Sequence, residues 1–261
     1  MLRLRQFCSL ITIQFQRQTF YRFNLLMRII GALFSATIQF FIWHSVRITS
    51  MKNVESISTY AILATVYALI LPAGSVARFI AHLSEKGNLP YYMVRPLSFF
   101  KINFFLEIGR FLANFVIVVI PLLIAYSYFF KIKLVFDNGQ MLTEFLISSL
   151  LGYLLAFQFG YLIGLLSLKT NRIGGFVSLF EGFMIICGGS VLPISIYPRL
   201  LRLVVRFTPF YAVQYVPLSG LVNNTSSWFW IMVQLFWMMI LIPITSIVFK
   251  LCLEKVDLAG G

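Results

Sequence analysis

Charge is scarce in this sequence, and acid is scarcer still: 11% of the 261 residues are charged and only eight carry a carboxylate, where soluble domains average about 25% charged. Material for catalysis is missing too. The two histidines, His44 and His82, lie far apart, and Cys8, Cys187 and Cys252 form no CxxC pair and have no histidine nearby. Neither a metal cluster nor a catalytic pair is expected from such a set. No GxxxxGK[ST] loop occurs, so no segment is built to cradle nucleotide phosphates.

What the chain has instead is apolar surface, with 60% of its residues hydrophobic. Acids and bases are costly at the centre of a bilayer, so the runs between charges delimit spans. This gives 29–46, 56–77, 111–130 and 145–168, then a fifth span from Ile173 interrupted only by Glu181. The uncharged stretch 207–249 exceeds one helix; Pro209, Pro217 and Asn223-Asn224 divide it and leave a sixth span from about Trp228 to Phe249. The expected fold is therefore an all-α integral membrane protein with six transmembrane helices, a single transmembrane domain over residues 1–261.

The formal charge of +13 raises nucleic acid as a partner, but the basic residues stand at the ends of apolar runs rather than in one basic and aromatic patch. The reading is a membrane face and no nucleic acid. Fourteen lysines and arginines fall on the side of the termini and seven on the other, which predicts both termini in the cytoplasm. Arg3 and Arg5 before the apolar stretch 7–15 mimic a signal peptide, yet Gln16, Arg17 and Gln18 follow with no small-residue cleavage site, so the segment reads as retained. Over residues 3–19, Leu4, Phe7, Cys8, Ile11 and Phe15 share one helical face, and Arg5, Ser9, Thr12 and Gln16 the other. That pattern predicts an interfacial helix over 1–22 lying on membrane lipid, the alternative being an extension of the first span.

Two connections are longer than turns. In the cytoplasmic connection 78–110, Gly87 is a helix stop and Pro90 a helix start, which predicts a short helix carrying Tyr91, Tyr92 and Arg95. These residue types suit protein contact, and a hairpin resting on headgroups is the other reading. On the outer side, Gly188-Gly189, Pro193, Pro198, Pro209 and Pro217 break the chain over 188–222, with Arg199, Arg202 and Arg206 at helical spacing. With no acid between Glu181 and Glu254 to pair with them, these arginines are expected at headgroup level in a re-entrant hairpin capping the path. Glu181 is the one carboxylate inside an expected span and hence the intramembrane candidate. It is either the coupling acid of a proton-driven carrier or a structural acid bonded to a neighbouring span, with Arg28 as a candidate partner.

The ordered set of an amphipathic N-terminal helix, six spans, a long first cytoplasmic loop and a Gly/Pro-broken outer hairpin resembles the permease subunit of a bacterial type-2 ABC exporter. The stretch Gly87-Asn88-Leu89-Pro90-Tyr91-Tyr92-Met93-Val94-Arg95-Pro96-Leu97 is similar to a Gly-x-Leu-x-x-Tyr-Leu-Leu-Arg-Pro-Leu motif of one poorly characterised branch, with Met93 and Val94 where leucines are usual. The resemblance implies a coupling helix seated in a groove of an ATP-binding cassette subunit, formed by Glu85, Gly87, Asn88, Leu89, Pro90, Tyr91, Tyr92, Arg95 and Pro96. It also implies two ATPase copies, which would hold ATP and magnesium while this chain holds no cofactor. A second permease, a related subunit more than an identical copy, would complete a complex in the bacterial cytoplasmic membrane. Cargo is not identified by the resemblance. Readings from other classes are a secondary carrier using Glu181 and a membrane scaffold or immunity protein without a transport cycle.

Overall fold

A computed structural model describes residues 2–20, 22–45, 54–88, 91–92, 98–130, 139–170, 173–191, 194–223 and 228–259. Among the described residues every regular element is a helix. In order these are α1 (Leu2–Phe20), α2 (Arg22–Ser45), α3 (Val54–Ala68), α4 (Ala73–Glu85), α5 (Phe99–Asn114), a π-helical turn (Phe115–Val119), α6 (Ile120–Phe130), α7 (Gly139–Thr170), α8 (Ile173–Cys187), a 3-10 turn (Ile194–Ile196), α9 (Arg199–Arg206), α10 (Pro209–Asn223) and α11 (Trp228–Ala259).

Among the described residues, five stretches are long and apolar enough to cross a membrane: Arg22–Trp43, Ile57–Glu85, Phe99–Phe129, Gly139–Leu166 and Trp228–Cys252, with Gly174–Cys187 as a shorter sixth. Their ends differ from the charge-delimited spans. The second reaches Glu85 rather than 77, and the third starts at Phe99 rather than 111. The connection between them accordingly narrows from 78–110 to residues 86–98. Counting each charge as a span end fails here because Glu107 and Arg110 pair one helical turn apart and enter the helix as a neutral unit. The third stretch holds 31 residues, roughly 46 Å of helix against a hydrocarbon core of about 30 Å. Tilt or projection beyond the bilayer takes up the difference, and projection would carry the 86–98 connection away from the membrane.

The bundle is organised around α7, against which α4, α10 and α11 pack. Small residues at every fourth position make the approach possible: Gly152, Ala156, Gly160 and Gly164 form one stripe along α7. A Cβ at Gly160 would collide with the Ala73 backbone, reaching its Cα at 2.7 Å, and one at Gly164 would press on Ile80 at 2.7 Å. At Gly152 it would meet the Val213 carbonyl at 2.6 Å. Small-xxx-small stripes let helices meet backbone to backbone, which matters where lipid removes the hydrophobic drive for helix association. Around this contact Val76, Ile80, Phe157, Tyr161 and Leu165 are buried as one cluster, while α2, α3 and α6 close another through Ala32, Ala36, Ile62, Val66 and Leu122.

Buried amide side chains tie the bundle at membrane depth. The Gln234 side chain donates to Ser148 O (3.0 Å) and Ala212 O (2.8 Å), and Gln214 donates to Ala64 O (3.0 Å). α1 packs along α5: the Phe7 and Phe105 rings stack at 4.1 Å, and Gly109 leaves room for the Ile11 backbone. Part of the apolar stripe on α1 thus covers protein.

Candidate functional site

The helices enclose a cleft of about 1020 Å³ bordered by α1, α2, α4, α5 and α8. Its wall follows α4 from Ala73 to Glu85, roughly 20 Å at 1.5 Å per residue, and includes the break at Leu69, Ile70, Leu71 and Pro72. Ser190 and Gln214, both in the 188–222 segment, also line it. Chain breaks place this wall. Pro72 cannot donate to the preceding turn, so α3 and α4 are offset across residues 69–72. Continuing the chain from the α5 wall, the π-helical turn follows Asn114, and the Ile120 amide donates to Phe115 O. Single π turns of this kind shift helical register, often at functional sites.

The charges in the cleft sort into two environments. Glu107 is 4% exposed, ion-paired to Arg110 Nη1 at 2.7 Å, and its Oε2 accepts from Ser75 Oγ at 2.9 Å. Glu181, on α8, pairs with Arg78 Nη1 at 3.3 Å while both side chains stay more than half exposed (54% and 61%). Gly74 keeps that pair clear of the wall, since a Cβ there would sit 3.0 Å from the Arg78 guanidinium and 3.2 Å from Glu181. Arg28 does not reach Glu181. Its Nη1 donates to Asn114 Oδ1 at 3.4 Å.

Two sequence expectations change. Glu181 is not alone among intramembrane acids, because Glu107 and Glu144 also lie within the third and fourth apolar stretches and are both buried. Glu181 takes Arg78 rather than Arg28 as its cation. A signal for Glu107 existed in the sequence, a glutamate followed three residues later by an arginine on an otherwise apolar helix.

In the 85–96 segment, α4 ends at Glu85 through a left-handed Gly87 (φ +66°). The Gly87 amide donates to Ser84 O at 3.0 Å and the Asn88 amide to Leu83 O at 2.9 Å. This paired closure satisfies the Leu83 and Ser84 carbonyls of the last turn, and glycine supplies the positive φ without strain. Tyr91 and Tyr92 are helical. Tyr91 is 65% exposed, whereas Tyr92 turns inward, edge-on to Phe79 with centroids at 6.2 Å. Leu89, Pro90, Arg95 and Pro96 lie outside the described residues. Glu85, at the end of α4, also lines the cleft.

At the other end of the cleft, Gly188 and the left-handed Gly189 (φ +72°) turn the chain out of α8. Tyr60 Oη donates to Gly189 O (3.0 Å) and Tyr197 Oη to Ile186 O (2.7 Å), pinning the turn. Burial, with the Cys187 thiol nearby, raises the Tyr197 phenol above its usual range, so it remains a donor. The arginines of α9 diverge. Arg202 Nη2 donates to Tyr197 O at 2.8 Å, the Arg206 guanidinium lies 5.9 Å from the Trp230 ring centroid, and Arg199 is exposed. Leu200, Leu203 and Val204 face outward, so the helix presents an apolar face as well as charge.

An all-helical bundle with apolar outer faces and a charged internal cleft defines a multi-pass membrane protein. Residues 33–260 match the family described as ABC-2 family transporter protein, and the chain belongs to that family. It is a permease of an ABC transporter, a membrane component that is not itself catalytic, and permeases of this family partner with an ATPase subunit. Among curated proteins there is no match.

Proposed function

We propose that this chain is the membrane-spanning subunit of an ATP-driven exporter in a bacterial cytoplasmic membrane. ATP and magnesium would be held by two copies of a separate ATP-binding subunit, and both termini would face the cytoplasm with that subunit. A related second permease would complete the complex, and the 188–222 segment would cap the path on the outer side. The observation that carries the reading is the family match across 33–260, joined to the cleft-lining helix α4, which ends at Glu85 where the expected coupling segment begins, and to the exposure of Tyr91. A helix that lines the cleft and ends where a partner would dock is a means of passing that partner's movement to the site.

Arg95→Glu tests this contact. The variant is expected to insert and assemble but to lose the link between ATP hydrolysis and solute movement, measured together in proteoliposomes. Normal coupled transport by the assembled variant would refute the contact. The pairing of Glu181 with Arg78 gives this acid a partner on a neighbouring helix, which favours the structural reading of it over the proton-coupled one.

A further inference from the structure

The cleft contains more cationic capacity than its own acids consume. Arg17, Arg28, Arg78 and Arg110 line it, against Glu85, Glu107 and Glu181. Arg78 is taken by Glu181 and Arg110 by Glu107. Among the described residues neither Arg17 nor Arg28 has a carboxylate partner, and the one side-chain bond of Arg28 is to the neutral Asn114 amide. Both arginines are exposed and line the cleft. Arg28 sits six residues into α2, about 9 Å along the helix at 1.5 Å per residue, where a guanidinium without a counter-charge is costly unless an anion or water reaches it.

The same cleft also has apolar walls, beside neutral polar residues such as Gln14, Asn24 and Asn114. Leu25, Leu69, Ile70, Phe180, Met184 and Ile185 line it. Ile185 is half exposed and continues onto the outer apolar face of α8 formed by Leu179, Phe183 and Ile186. An apolar track thus joins the cleft to the lipid side of the bundle. The volume of about 1020 Å³ lies at the upper end of small-molecule pockets, which combine apolar walls with a few polar anchors.

We propose that the cleft binds an anionic amphiphile, a molecule bearing a phosphate or carboxylate on an apolar body. Arg28 and Arg17 take the anion and the apolar walls take the body. Guanidinium groups suit both oxyanions because their fork of donors matches two oxygens at once. Calling this ligand the cargo rests on the permease reading above; the binding itself does not.

The test uses the full chain in phosphatidylcholine nanodiscs and fluorescent probes followed by anisotropy. Lysophosphatidic acid and a long-chain fatty acid are expected to bind at least about tenfold more tightly than lysophosphatidylcholine. Inorganic phosphate alone is expected not to displace them. The double substitution Arg17→Gln with Arg28→Gln removes this preference, Arg28→Lys largely restores it in the Arg17 background, and Lys101→Gln, an exposed cation outside the cleft, leaves it intact. Monodisperse elution of each variant confirms folding. Equal binding of the zwitterionic probe, displacement by phosphate alone, or an unchanged preference in the folded double variant overturns the proposal. ATP-dependent movement of the same probe is measured separately with the partner ATPase. Selective binding without movement would defeat the permease reading and leave the site standing, whereas transport of other solutes without selective binding would defeat the site alone.

Discussion

Glu107 and Glu181 are the same side chain on neighbouring walls of one cleft, and their surroundings give them opposite weights. Glu107 is buried with Arg110 and Ser75, so Glu107→Gln would strand a guanidinium that is itself mostly buried. Breaking a buried pair in this way costs about 3 kcal/mol. Glu181 and Arg78 stand in the open cleft, where an ion pair contributes less than about 1 kcal/mol. Thermal unfolding in detergent should therefore show a large loss for Glu107→Gln and a small one for Glu181→Gln. The reverse order would contradict the placement of the two acids. At this scale the sequence points to Glu181 because it interrupts a long apolar run. It hides Glu107 because an acid and a base one turn apart look like the edge of a span until the helix is known to continue through them.

At the scale of elements, the decisive feature is the contact of α7 with α4. Gly160→Ala introduces a methyl group into the Ala73 backbone, with no flexible side chain to yield, so the helices must separate. Gly174, near the start of α8, has open space around its missing Cβ. Gly174→Ala should be neutral or stabilising by up to about 1 kcal/mol from helix propensity. Unfolding midpoints of the two variants check the contrast, and equal midpoints would show that α7 does not approach α4 this closely. The existence of the helices is legible in hydropathy, as are the breaks at Gly87 and Gly188-Gly189. Their ends are less so. The second and third apolar stretches extend past the charges that seemed to bound them, through Arg78 at one end and Glu107 with Arg110 at the other. The stripe Gly152, Ala156, Gly160, Gly164 is visible as spacing, but only the structure shows that α4 is the helix that fills it.

At the scale of the whole molecule, the cleft has two ends: Glu85 near the exposed Tyr91, and Ser190 with Gln214 beside the turn at Gly189. If the termini face the cytoplasm, the second end faces outward and α9 lies in the outer leaflet. Arg199→Cys, at an exposed position, should then react with a membrane-impermeant thiol reagent added to intact cells. Labelling confined to inverted membranes would reverse the orientation. Hydropathy and charge predict this topology from sequence, whereas the cleft depends on side chains drawn from helices far apart in the chain and has no contiguous signature.

The central claim is that this permease works with a separate ATPase subunit, and the most direct measurement is purification of the tagged chain from its native membrane in mild detergent, followed by reconstitution. The account predicts that an ATP-binding cassette subunit remains bound and that solute movement in the proteoliposomes requires ATP. A chain that purifies without an ATPase and moves solute on a proton gradient alone would contradict it.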